Sequence, residues 1–92
     1  MEWKLFADLA ERAGDRHVAV DVEPGETVED ALDALLEDRE DLRERVLDER
    51  GELRSQLTVL RNGGDVHARG DGLATTLDAD DELALLPPVS GG

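Results

Sequence analysis

Few residues of this 92-residue chain could do chemistry, and the most suggestive stand together at its end, Pro87-Pro88-Val89-Ser90-Gly91-Gly92. Gly92 offers a terminal carboxylate, and because glycine has no Cβ, Gly91 and Gly92 make a slim stem that can lie against another protein's catalytic groups. Pro87 and Pro88 each fix φ and remove a donor, so they stop the apolar run Leu83–Leu86 and project the last residues outward, with Val89 and Ser90 completing the spacer. Beyond Leu86 the tail can reach roughly 20 Å. The pattern therefore reads as a handle, a flexible tail, 87–92, that presents an accessible Gly92 carboxylate from a folded domain, 1–86.

The rest of the chain offers little catalytic material. His17 and His67 fall on separate expected strands, Ser55 and Ser90 are the only serines, and there is no cysteine. Thus no nucleophile is paired with a base by spacing, and disulfides, thiolate catalysis and cysteine-held clusters are excluded. Gly63-Gly64 closes a hairpin and Gly70 and Gly72 lie in a loop, so no glycine loop stands before a helix to cradle phosphate. The charged run Glu37–Arg54 lacks the spacing of a calcium loop. The chain is expected to be no enzyme of its own and to hold no metal or cofactor.

Twenty-four acids against 10 bases give a formal charge of −14, which speaks against nucleic acid or an anionic membrane as partner and for a basic protein. Nine of the 10 bases are arginine and the acids are spread along the chain, a pattern that fits a salty cytoplasm. No apolar run approaches the ~20 residues of a membrane span, and Glu2 stands after Met1 where a signal peptide would carry bases. The chain is expected to be cytoplasmic, and a monomer when free.

These features need a scaffold, and the apolar spacing supplies one. Trp3, Leu5 and Ala7 share one face of a first strand, with Glu2, Lys4 and Phe6 on the other. Asp8–Gly14 reads as a short helical turn, with Phe6 and Leu9 covering one end of the core. A second strand, antiparallel to the first, is expected at about Arg16–Val22. Thr27-Val28-Glu29-Asp30 resembles a capping box and opens the main helix, whose Val28, Leu32, Leu35 and Leu36 recur at helical spacing. A short exposed helix is expected near Arg39–Val46, with Asp41 and Arg45 placed to pair at i,i+4. Leu57–Arg61 alternates as a strand into Asn62-Gly63, a hairpin signal, with Val66–Arg69 as its return strand. Glu82–Leu86 is the last strand, and beside the first it would make the sheet mixed. The order is β-β-α-β-β-β, an α+β fold with one main helix packed across a sheet.

This pattern, ending in Asp81-Glu82-Leu83-Ala84-Leu85-Leu86 and the Pro-Pro-Val-Ser-Gly-Gly tail, resembles the small archaeal modifier proteins and the small subunit of molybdopterin synthase. The resemblance covers nearly the whole chain and is carried also by Trp3–Glu11, by Thr27-Val28 with Leu32 and Leu35-Leu36, and by Val59–Gly63. It departs at Asp80-Asp81, where these proteins more often have Gly-Asp, and at the longer Gly70–Thr76 loop. The resemblance implies a ubiquitin-like β-grasp fold. It also implies that an E1-like enzyme adenylates Gly92, after which the acyl group passes to lysines of target proteins or takes up sulfur as a thiocarboxylate. Three readings stay open: a protein modifier that doubles as a sulfur carrier, a dedicated sulfur-carrying subunit that works with a molybdopterin synthase large subunit, and a non-covalent β-grasp interaction domain.

Two further residues are singled out by alternation. Val59 is expected to face the helix, so Leu60 should point away and offer an apolar point for partner docking. Lys4, the only lysine, is expected on the same outer side and is the one internal amine that could accept an acyl group in chain formation. The charge also has a stability consequence. Fourteen net negative charges on a small core repel one another in dilute buffer, so the thermal midpoint is expected to rise between dilute and molar salt, as read by thermal unfolding at the two ionic strengths.

Overall fold

Residues 1–88 are described by a computed structural model, Arg69 by its backbone alone, so Val89, Ser90, Gly91 and Gly92 lie outside the described residues. Alternation at the start forms β1, Glu2–Leu5, with Trp3 and Leu5 buried and Glu2 and Lys4 exposed. The chain then reverses over Phe6–Leu9, where Leu9 N–H donates to the Phe6 carbonyl at 3.2 Å. Ala7 sits at φ 54°, ψ −132°, the first central position of a type II′ turn, which ordinarily takes glycine. The turn leads into α1, Asp8–Ala13, closed by a left-handed Gly14 whose N–H donates to the Ala10 carbonyl.

The second strand, β2, is His17–Ala19, shorter than its valine pattern because its partner β1 runs out at Met1; the Val20 N–H still reaches the Met1 carbonyl at 2.8 Å. The main helix, α2, is Val28–Leu36, and its start is a complete capping box: Thr27 and Asp30 each accept the other's backbone N–H. Val28, Leu32, Leu35 and Leu36 are buried, and so is Ala31, small enough for the Trp3 indole N–H to donate to its carbonyl at 2.9 Å. The next helix, α3, Glu40–Val46, is exposed only on its charged side, since Leu42 and Val46 are fully buried. Asp41 and Arg45 do not pair. Arg45 Nε instead donates to Asp8 at 2.6 Å and Arg12 to the Asp41 carbonyl at 3.2 Å, tying α3 to α1.

Next, β3, Thr58–Arg61, turns through Asn62 and Gly63, both at positive φ as a type I′ turn requires, into β4, Gly64–Asp65. The expected return strand at Val66–Arg69 is instead a short helix, α4. Asp65 ends the ladder by accepting the His67 N–H at 2.8 Å, and Val66 turns into the core. After a 3₁₀ turn at Gly72–Ala74, the Gly70–Thr76 connection is sewn to the start of α2: Val28 N–H donates to the Thr75 carbonyl and Leu77 N–H to the Glu26 carbonyl. The last strand, β5, Glu82–Leu86, buries Leu83 and Leu85 and lies parallel to β1 and antiparallel to β3, giving the order β2-β1-β5-β3-β4. The sheet is mixed and lies on α2, as expected. Phe6 does not cover the core; Leu9 does so alone, and Phe6 is 38% exposed on the opposite side.

One polar network fixes the β3–β4 turn to β5. Asp81, its side chain 6% exposed, accepts from Arg61 Nε at 2.6 Å, Asn62 Nδ2 at 2.8 Å and the Asp78 N–H at 2.8 Å, while Asn62 Oδ1 accepts the Glu82 N–H at 2.9 Å. Burial alone would push the Asp81 carboxyl up, but the Arg61 guanidinium and the two amide donors outweigh it and hold the carboxyl below its usual range.

The strained turn and the buried carboxylate can each be tested. Replacing Ala7 by glycine relieves backbone strain of order 1–3 kcal/mol against an entropic cost of roughly 0.5–1 kcal/mol, so Ala7→Gly should raise stability by about 1 kcal/mol in a urea titration. Because the folded pKa of Asp81 is depressed, its contribution is complete above the unfolded value of about 3.9 and fades as pH falls through the folded one. Asp81→Asn should therefore lower the unfolding midpoint at neutral pH, and its deficit against the parent should shrink as titrations are repeated below pH ~4.

Candidate functional site

The side of the sheet turned away from α2 is set by strand alternation. It receives Glu2, Lys4 and then Phe6 from β1, His17 from β2, Glu82, Ala84 and Leu86 from β5, and Thr58 and Leu60 from β3. Register makes one row across four strands: His17 stands opposite Lys4, Lys4 opposite Ala84, and Ala84 opposite Leu60. The Leu60 and Ala84 side chains are half-buried and Lys4 is exposed. Between them is an open depression of about 470 Å³, bounded by Glu2, Lys4, Phe6, His17, Leu60 and Ala84.

Its middle is apolar and one end is acidic. Phe6, Leu60 and Ala84 provide the apolar ground, and the Lys4 ammonium lies 5.9 Å from the centre of the Phe6 ring. Glu2 stands beside Glu82 on the parallel neighbour, and His17 Nδ1 is 2.9 Å from Glu2 Oε1. Among the described residues Lys4 has no ion-pair partner, whereas Arg45 and Arg61 are each held by carboxylates.

The ladder between β1 and β5 ends at Leu5 opposite Leu85. After Leu86 the chain leaves through a half-buried Pro87 and an exposed Pro88. The tail thus departs from the C-terminal end of the sheet's central strand, whereas the depression takes in the strand's first half, Glu82–Ala84. Of the residues expected from sequence, Leu60 and Lys4 are brought onto one face, while Val89, Ser90, Gly91 and Gly92 lie outside the described residues. His17 and His67 are on different elements, β2 and α4, and no group of three or more His, Asp or Glu among the described residues could hold a metal ion. Sequence reasoning gave Phe6 two places, the outer face with Glu2 and Lys4 and the end of the core with Leu9, and the structure keeps only the first. The signal was its parity with Glu2 and Lys4, which puts it outside if the strand simply continues.

No helix among the described residues is long and apolar enough to cross a membrane. Comparison with known proteins covers the full chain. Small archaeal modifier protein 1 of Haloferax volcanii is 56% identical over 92 residues, all of both chains. The crystal structure of that organism's SAMP1 superposes with a TM-score of 0.88 at 54% identity, covering 100% of this chain and 98% of the other, so the fold is the ubiquitin-like β-grasp. The Amycolatopsis orientalis BexX/CysO complex contains a chain that matches with a TM-score of 0.79 at 26% identity, over 99% of this chain and 98% of that one. The model of the ThiS family matches residues 3–92, and the chain belongs to that family.

Proposed function

We propose that this chain is a ubiquitin-like protein modifier and sulfur carrier whose Gly92 carboxylate is the reacting group. The observation that carries this reading is the exit of the tail from the end of β5, the central strand whose Ala84 also lines the outer-face depression, so that one partner can grip the sheet and take the tail together. In the reaction, an oxygen of the Gly92 carboxylate attacks the α-phosphate of ATP on an E1-like adenylating enzyme, and pyrophosphate leaves. A target lysine amine, or hydrosulfide, then attacks the acyl carbon, AMP departs with the electron pair and the nucleophile's proton goes to solvent, giving an isopeptide or a thiocarboxylate. The chain's own residues supply none of the catalysis. Pro87, Pro88, Val89 and Ser90 carry the carboxylate out to the enzyme's site, and Gly91 and Gly92 keep the path narrow.

Leu60, with Phe6 and Ala84, is the docking surface for the adenylating enzyme, and the same face would serve a molybdopterin synthase large subunit in the sulfur-transfer branch. The match to a chain of the BexX/CysO complex supports association with a protein partner. Since no Lys or Arg occurs after Arg69, trypsin would leave residues 70–92 on a target lysine, and conjugates should be sought by that adduct and not by a Gly-Gly mark.

Removing Gly92 should abolish adenylation, conjugation and thiocarboxylate formation together while leaving the thermal midpoint unchanged, because the core ends at β5. Leu60→Asp should also leave the fold intact, since the side chain is half-buried on the outer face, but should raise KM for adenylation tenfold or more by placing a charge in an apolar contact. Pyrophosphate exchange and unfolding measured on both variants check this. Adenylation of the truncated chain would leave only the non-covalent interaction domain.

A further inference from the structure

We propose that Lys4 is itself an acylation site, and that an acyl group placed there by a second, activated copy of this chain closes the docking face and withdraws the acceptor copy from further activation. The proposal rests on the docking role of the outer sheet face in the proposed function.

The geometry has three parts. Lys4 is the sole lysine, and its ammonium is exposed on a four-carbon stem with no ion-pair partner among the described residues. Its place is central. On one side it is opposite Ala84, itself opposite Leu60, and its Nζ lies over Phe6, so any group attached there lands on the apolar ground that a partner must cover. Finally, the depression of about 470 Å³ is open, so the amine can reach an incoming acyl carbon without rearrangement of the sheet. The nine arginines offer no equivalent, because a guanidinium stays protonated and is a poor nucleophile.

The step balances without any further reactant. The deprotonated Lys4 amine attacks the carbonyl carbon of the donor copy's Gly92 adenylate. A C–N bond forms, the C–O bond to AMP breaks, AMP leaves with the electron pair, and the amine's proton goes to solvent. The acceptor keeps its own Gly92 carboxylate. It is chemically able to be activated again but sterically barred, since a 92-residue body is tethered at the middle of the surface by which it docks.

The test uses the full-length chain, its adenylating enzyme and ATP. Incubation of the parent chain should give an adduct of two copies, with residues 70–92 mapped on Lys4 after trypsin, and Lys4→Arg should give none. The purified adduct should then show kcat/KM for pyrophosphate exchange at least tenfold below that of the single chain from the same incubation. An adduct only at the Met1 amine, or a Lys4 adduct activated as fast as the single chain, overturns the proposal while leaving the modifier and sulfur-carrier function intact. A parent chain that is not adenylated at all overturns both.

Discussion

The parallel ladder between β1 and β5 is the constraint on which the rest of the molecule depends. Two parallel strands cannot be joined by a tight turn, so everything from Phe6 to Asp81 is in effect one long crossover that must return the chain to the middle of its own sheet. The return is expensive in chain entropy and is fixed at several points along the way. The Trp3 indole binds the α2 backbone at Ala31, the Thr75–Leu77 segment pairs with the start of α2, and Asp81 receives Arg61, Asn62 and the Asp78 N–H just before β5 begins. The last of these sets register. A slip of one residue in β5 would exchange Leu83 and Leu85 for Ala84 and Leu86, replacing a core leucine by alanine and turning Leu83 and Leu85 out to the outer face.

What was legible in the sequence is what local chemistry decides. Thr27 with Asp30, Asn62-Gly63, and the alternation of Trp3 and Leu5 or of Leu83 and Leu85 each specify structure within a few residues, and each appears as read. What was not legible depends on residues distant in the chain. Val66–Arg69 has strand-like composition, but β4 pairs through only two residues before Asp65 caps a helix and Val66 enters the core. Arg45 had a carboxylate one helical turn away in Asp41 and found a better one in Asp8, 37 positions earlier, because α1 and α3 pack together. For the site, parity alone placed Leu60 and Lys4 on one face. Their convergence with Phe6 and Ala84 depends on β1 and β5 being neighbours.

The division between stability and recognition obeys the same alternation. Side chains directed to α2 are almost all fully buried, and those on the other side are half-buried or exposed, so Leu60, Ala84 and Phe6 take no part in the core. Ala7 marks the boundary. Its strained turn reverses the chain directly after Phe6, which leaves the ring outside while Leu9, three residues later, closes the core.

The bases are divided by chemistry as well as by place. In a chain with 24 acids, a planar guanidinium that can reach two oxygens at once is the efficient way to join elements that would otherwise repel. Arg61 bridges Asp81 and Asp78, Arg45 links α3 to Asp8, Arg39 donates to the carbonyls of Leu35 and Glu37 at the end of α2, and Arg54 to that of Glu44 in α3. None of these roles needs an amine that can lose its proton. The one lysine, Lys4, stands instead on the open face, with no ion-pair partner among the described residues, so holding the fold together does not depend on it.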